Sequence, residues 1–189
     1  MAATRRQYMQ ALAPLVTDEL VVAGIGSVAS DWALAAPRDG NFCLSGPMGQ
    51  AIPIALGLAL ARPERTVIAM EGDGGLLMNL VALSTVASQS PRNLKILVFN
   101  NGLYESSGCQ PVPSAGTDYS AVASALRIPF SRRVADVPSL VAAFNEARET
   151  PAPCFIELIV AYAPDEAPPY GLITAMEAKA SLLRGLKKA

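Results

Sequence analysis

Apolar positions in this chain fall into short blocks of two kinds that alternate along its length. Runs at 19–23, 41–44, 66–71, 94–99, 130–134 and 154–160 are brief, rich in Val, Ile, Leu and Phe, and mostly bounded by Gly, Pro, Asn or Asp. Such runs predict strands, most of them buried on both faces. The intervening segments predict helices at 4–16, 28–36, 50–61, 76–89, 118–126, 138–147 and 172–186, the first amphipathic and the sixth capped by the acid before it. Segment 50–61 is rich in Ala and Gly, which suits an interior or subunit-facing position. Residues 37–40 read as a turn, 107–117 as a loop and 164–169 as a linker. Strands alternating with helices imply an α/β fold, a doubly wound parallel sheet with helices on both faces. Residues 1–165 are expected to form one domain, with 166–189 a linker and C-terminal helix.

Ligands of such sheets bind beyond the carboxyl ends of the strands. Three glycine-rich loops fall there: Gly24-Ile25-Gly26-Ser27, Ser45-Gly46-Pro47-Met48-Gly49, and Glu71-Gly72-Asp73-Gly74-Gly75. A fourth strand end carries Asn100-Asn101-Gly102. Asp and Asn oxygens suit a hard divalent cation such as Mg²⁺. Glycines at a helix start let backbone N–H groups close on a phosphate. Helix capping by Asp73 explains an acid before a helix, but neither its flanking glycines nor the paired asparagines. Gly24-x-Gly26-x-x-Ala29 matches a dinucleotide fingerprint only loosely, because no acid ends the next strand. A phosphate loop, with Ser27 at the terminal phosphate, and a plain strand-to-helix turn both remain open.

Composition narrows the choices. Of 189 residues, 51% are hydrophobic and only 16% charged, so either the sheet is covered on both faces or partners cover a large surface. No apolar run is long enough for a membrane span, and the first ten residues lack the apolar core of a signal peptide. A net charge of −1 without a basic block argues against nucleic acid. The basic cluster Arg184, Lys187 and Lys188 reads as a solvated helix end. Three cysteines without metal-ligand spacing suggest reduced thiols and a cytoplasmic protein, with Cys43 and Cys154 in packing positions. The absence of histidine excludes Ser-His-Asp and Cys-His arrangements and His-ligated zinc within the chain.

Gly72-Asp73-Gly74, a spacer of 25 residues, then Asn100-Asn101 resembles the signature of thiamine-diphosphate enzymes. The stretch from Ser45-Gly46-Pro47-Met48-Gly49 to Gln110-Pro111 resembles their diphosphate-binding domain. Gly74 to Leu80 and Tyr104-Glu105-Ser106-Ser107-Gly108-Cys109-Gln110-Pro111 are similar to sulfopyruvate and phosphonopyruvate decarboxylases, the first of which is often split into two short subunits. The resemblance implies thiamine diphosphate and Mg²⁺ as cofactors. It implies metal ligation by Asp73, Asn101 and the Leu103 carbonyl, with Asn100 the neighbouring alternative. It places Gly26, Ser27, Gly72, Gly74, Gly75 and Tyr104 around the cofactor, with Met48 as the wedge beneath its rings and Gly46 as acceptor from its pyrimidine amino group. Tyr104, Glu105, Ser106 and Gln110 face substrate or pin the loop, Glu105 being the candidate catalytic acid. The glutamate that activates the pyrimidine is expected from a separate pyrimidine-binding, α-type subunit.

The implied activity is decarboxylation of a small 2-oxo acid by a hetero- or homo-oligomer. An acetolactate-synthase-like carboligase subunit and a non-catalytic cofactor-binding module are the alternatives.

Overall fold

The computed structural model describes residues 2–114 and 116–187. Six parallel strands form the sheet: β1 (Leu20–Ala23), β2 (Asn41–Cys43), β3 (Val67–Gly72), β4 (Leu94–Asn100), β7 (Phe130–Val134) and β8 (Cys154–Ile159). Their order is β2-β1-β3-β4-β8-β7. Two short strands, β5 (Leu103–Tyr104) and β6 (Gln110–Pro111), pair antiparallel inside the segment that follows β4. The helices are α1 (Arg5–Leu12), α2 (Ser27–Ala35), α3 (Ala51–Ala61), α4 (Asp73–Met78), α5 (Ala82–Gln89), α6 (Tyr119–Ala125), α7 (Val137–Glu149) and α8 (Ala175–Lys187).

Alternation along each strand feeds two cores. Val21, Ala23, Ile68, Met70, Leu97 and Phe99 face α1, α2 and α7. Leu20, Val22, Val67, Ala69, Ile96 and Val98 face α3, α5 and α6. Both faces are therefore covered, and the continuous apolar strands of the sequence have this cause. The doubly wound expectation holds.

Three elements differ from the reading of the sequence. The first helix ends at Leu12, and Pro14, which has no N–H to donate, leaves only a 3₁₀ turn at Ala13–Leu15. The segment expected as one helix at 76–89 is two. α4 begins earlier, at Asp73, and stops where Asn79 turns its amide to donate to the Gly49 carbonyl at 3.0 Å. α5 starts at Ala82. The last helix starts later than expected: Thr174 and Glu177 form a reciprocal cap, with Glu177 N–H donating to Thr174 Oγ1 (3.2 Å) and Thr174 N–H to Glu177 Oε2 (2.8 Å).

α8 covers the edge strand β2. Gly40 N–H donates to the Ser181 carbonyl at 3.0 Å, and Gly185 lies so close to Gly40 that a side chain there has no room. Within the basic cluster, Arg184 pairs with Asp39 at 2.8 Å and Lys187 is exposed, while Lys188 lies outside the described residues. Among the described residues, no helix is long and apolar enough to cross a membrane.

From β1 the chain passes to β2 on one side, then crosses to β3 on the other. The carboxyl ends of β1 and β3 thus flank a switch point, where the two connecting segments part and leave a crevice. The turns 24–27 and 72–75 meet there.

Candidate functional site

Asp73 opens α4 beside the end of β4. Its side chain is buried, and Oδ2 accepts a hydrogen bond from Gly102 N–H at 2.9 Å. Burial pushes its carboxyl up to about 6, against the hydrogen bonds from backbone amides that favour the charged form. Asn101 lies across the cleft. Its Oδ1 accepts from Leu103 N–H at 3.0 Å, and its Nδ2 donates to Glu105 Oε2 at 2.9 Å. Asp73, Asn101 and Leu103 line one cleft together with Gly72, Gly74, Gly75, Met48 and Ser27. Asn100 behaves differently. It points to the opposite side of the strand end and donates to the buried Glu157 at 2.8 Å. It is absent from the lining of that cleft and borders a second hollow with Val112 and Arg133, which Asn101 also reaches.

Gly26 precedes α2 with φ +85°, a conformation that glycine adopts without strain, and the turn delivers Ser27 to the cleft. The segment 104–107 lies across these turns. The Tyr104 ring packs where a side chain on Gly74 would stand, and Ser106 Oγ is 2.9 Å from where a Cβ on Gly26 would be. The Glu105 carboxylate accepts from both terminal nitrogens of Arg5, at 2.6 and 2.9 Å, and from Ser27 Oγ at 3.1 Å, in addition to Asn101. Burial draws the Glu105 carboxyl upward, but the hydrogen bonds and charge of Arg5, aided by Ser27 and Asn101, outweigh it and hold the group below its ordinary value. Arg5 also pairs with the buried Asp31 at 2.6 Å. The cleft left between these groups has a volume of about 90 Å³ and opens to solvent.

Of the remaining sequence candidates, Tyr104 and Gly26 sit as described, and Gly46 is exposed outside the cleft lining. Gln110 is exposed in β6. The Ser27 hydroxyl also meets the Tyr170 hydroxyl at 3.3 Å, at the border of an apolar cavity of about 320 Å³ formed with Ile25, Leu44, Leu172 and Ile173.

Sequence reasoning missed Arg5, Asp31 and Glu71 as parts of this site. Arg5 lies 26 residues from Asp31 and 100 from Glu105, so no local pattern joins them. Glu71 stood in plain view before Gly72. Its carboxyl is buried beneath the turn and pushed up to about 7 by that burial.

The donor set tests whether a metal and a diphosphate fit. Among the described residues, no three His, Cys, Asp or Glu side chains gather to hold a metal by themselves. Of the three carboxylates that line the cleft, Glu71 is taken up by backbone amides and Glu105 by Arg5, which leaves the Asp73 carboxylate, the Asn101 carboxamide oxygen and backbone carbonyls for a metal. A hard cation held by these must complete its shell with oxygens from a ligand. The ideal Cβ positions of Gly72 and Gly102 have nothing within 4 Å, so there is open space beside Asp73 and Asn101. Oxygen donors, glycine turns and helix starts on one side of the sheet fit a Mg²⁺-bound diphosphate.

Comparison with known proteins points the same way. Residues 24–158 match the family model described as "Thiamine pyrophosphate enzyme, C-terminal TPP binding domain". The chain is 38% identical over 128 residues to the sulfopyruvate decarboxylase subunit beta of Methanococcus maripaludis, covering 68% of this chain and 69% of that one. It is 35% identical over 149 residues to the phosphonopyruvate decarboxylase of Streptomyces viridochromogenes, covering 79% of this chain but 37% of that protein. Against the latter it therefore spans little more than a third of the relative's length. A solved chain from Mycobacterium smegmatis, described as a thiamin diphosphate-dependent enzyme, superimposes with a TM-score of 0.71 at 23% identity over 86% of this chain and 32% of that one, a likeness of fold. On the match over residues 24–158, this chain belongs to the thiamine pyrophosphate enzymes, as a representative of their C-terminal TPP binding domain.

Proposed function

We propose that this chain binds thiamine diphosphate through Mg²⁺ and, with a separate pyrimidine-binding subunit, decarboxylates a small 2-oxo acid of the sulfopyruvate or phosphonopyruvate class. The observation that carries the reading is the meeting of Asp73, Asn101 and Leu103, from two strand ends, in one glycine-lined cleft. Asp73, the Asn101 side-chain oxygen and the Leu103 carbonyl would hold the metal. The engagement of Asn100 with Glu157 favours Asn101 as the ligand. The turns at Gly26-Ser27 and Gly72 to Gly75 would receive the diphosphate, with Met48, Gly46 and Tyr104 against the rest of the cofactor. When bound, thiamine diphosphate supplies the electron sink for loss of CO₂. The protein supplies position: α1 and α2 hold the Arg5–Asp31 pair, which anchors Glu105, and Glu105 in turn orients the Asn101 amide. Tyr104 and Ser106 lie against Gly74 and Gly26, so the segment 104–107 stands beside the turns that would receive the diphosphate.

The two-subunit reading draws support from the relatives named as a beta subunit, which are of comparable length. Exposed apolar side chains at Leu60, Met78 and Val81 offer surface for association. The three cysteines are free, in keeping with a reducing cytoplasm. The test is CO₂ release from sulfopyruvate, phosphonopyruvate and pyruvate, with and without a pyrimidine-binding subunit. We expect silence from the chain alone and turnover in the mixture. Full turnover by the chain alone would refute the two-subunit reading, and acetolactate formation from pyruvate would favour a carboligase.

A further inference from the structure

We propose that Glu71 is a positioning residue: its carboxyl is the spacer that sets the loop 45–50, with Met48, against the diphosphate turn 72–75. The inference rests on the cofactor reading above and assigns a role to a residue which that reading leaves idle. Glu71 is the penultimate residue of β3 and is 2% exposed. Its Oε2 accepts from Ala51 N–H and its Oε1 from Gly72 N–H, each at 3.2 Å. Ala51 is the first residue of α3, whose N-cap residue Gln50 makes no side-chain cap. Gly72 is the N-cap residue of α4, which likewise lacks a side-chain cap. One carboxyl from a third element therefore serves the starts of two helices, and the two loops that lead into those helices carry the two halves of the cradle.

The surrounding glycines are shaped to this group. Neither Gly24 nor Gly75 has a positive φ, so backbone freedom does not explain them. A Cβ at either would overlap Glu71 Oε1. At Gly75 the three atoms nearest that Cβ all belong to the Glu71 side chain. The turns after β1 and β3 close around the carboxyl, and the loop after β2 hangs from it through Ala51. Asn79 adds a second tie from α4, donating to the Gly49 carbonyl at 3.0 Å. A buried carboxylate satisfied by two backbone amides is a costly way to fill space. An apolar residue would fill the same volume but would hold neither helix start.

Two ligands separate positioning from bulk stability. Inorganic diphosphate with Mg²⁺ engages only the diphosphate turn and metal loop, whereas thiamine diphosphate with Mg²⁺ also needs the loop 45–50. Calorimetry on the purified chain should show both binding to wild type. Glu71→Gln keeps the shape but turns an NH₂ group toward a backbone N–H. It should lower thiamine diphosphate affinity at least tenfold while inorganic diphosphate stays within twofold. If Glu71→Gln does not fold, Glu71→Asp, which keeps the charge and shortens the reach, carries the same test. Thermal melts supply an independent arm: Gly75→Ala should lower the melting temperature in wild type and do so much less in Glu71→Ala. Parallel losses for both ligands, or a Gly75→Ala penalty undiminished without Glu71, would overturn the proposal alone. Wild type that binds neither ligand would overturn the cofactor reading and this inference with it.

Discussion

At the amino ends of the strands, the ammonium of Lys95 is buried and donates to the carbonyls of Thr150 (2.7 Å) and Ala152 (3.0 Å), with Cys154 Sγ at 3.5 Å. Burial lowers its affinity for the proton, and its oxygen partners are backbone carbonyls. At the carboxyl ends, the Arg5 guanidinium pairs with Asp31 and Glu105, while the buried carboxylates of Glu71 and Asp73 in the same cleft accept from backbone amides and, among the described residues, have no cation of their own as hydrogen-bond partner. There the glycines beside Asp73 and Asn101 leave open space. Both ends bury charge in a chain poor in charge. At the amino end the Lys95 charge fastens β4 to the turn at 150–154, and the buried Glu19 is taken up by Arg148 and by backbone amides. At the carboxyl end oxygen donors exceed cations, and a cleft adjoins them. Buried charge alone therefore does not mark a site. Surplus of one sign beside space does.

Substitutions at the two ends can break this contrast. The largest effect is expected from Arg5→Met, which leaves Asp31 and Glu105 buried without their cation and should cost about 3–5 kcal/mol in denaturant unfolding. Recovery of that loss by the further change Asp31→Asn, which removes one uncompensated charge, would support the assignment; no recovery would speak against it. Lys95→Met leaves two buried carbonyls without donors and should cost about 2–3 kcal/mol. Its folded fraction should bind thiamine diphosphate like wild type, and a specific binding defect would show that the amino end is not purely structural. The smallest effect is expected from Thr4→Ala. Thr4 and Gln7 form a capping box at the start of α1, so removing the hydroxyl should cost about 1 kcal/mol. Because Arg5 is the first residue of that helix, a melt of Thr4→Ala in an Arg5→Met background should show a different penalty if the cap also places the guanidinium.

Most of the fold was legible in the sequence because a parallel sheet covered on both faces leaves continuous apolar runs, and β7 at Phe130–Val134 lies where the pattern put it. The meeting of Asp73 with the Asn100-Asn101 pair was legible because they follow the ends of β3 and β4, which are neighbouring parallel strands, whereas the choice of Asn101 and the Leu103 carbonyl came from the family resemblance. What was hidden depends on partners far along the chain. The break between α4 and α5 arises because Asn79 bonds the Gly49 carbonyl, 30 residues away. The commitment of Glu105 to Arg5 spans 100 residues, and a charged residue on an amphipathic helix gives no sign that it turns inward. The glycines at 24 and 75 were visible, but their explanation, the buried Glu71 carboxyl, requires the third dimension.

The central claim is that Asp73 and Asn101 hold a metal-bound diphosphate in the cleft beyond the carboxyl ends of β1, β3 and β4. Calorimetric titration of wild type and Asp73→Ala with thiamine diphosphate, with and without Mg²⁺, tests it most directly. The account predicts binding to wild type only when Mg²⁺ is present, and an affinity at least about a hundredfold lower in Asp73→Ala, a loss of about 2.7 kcal/mol. Equal affinity in the two proteins with Mg²⁺ present would contradict it.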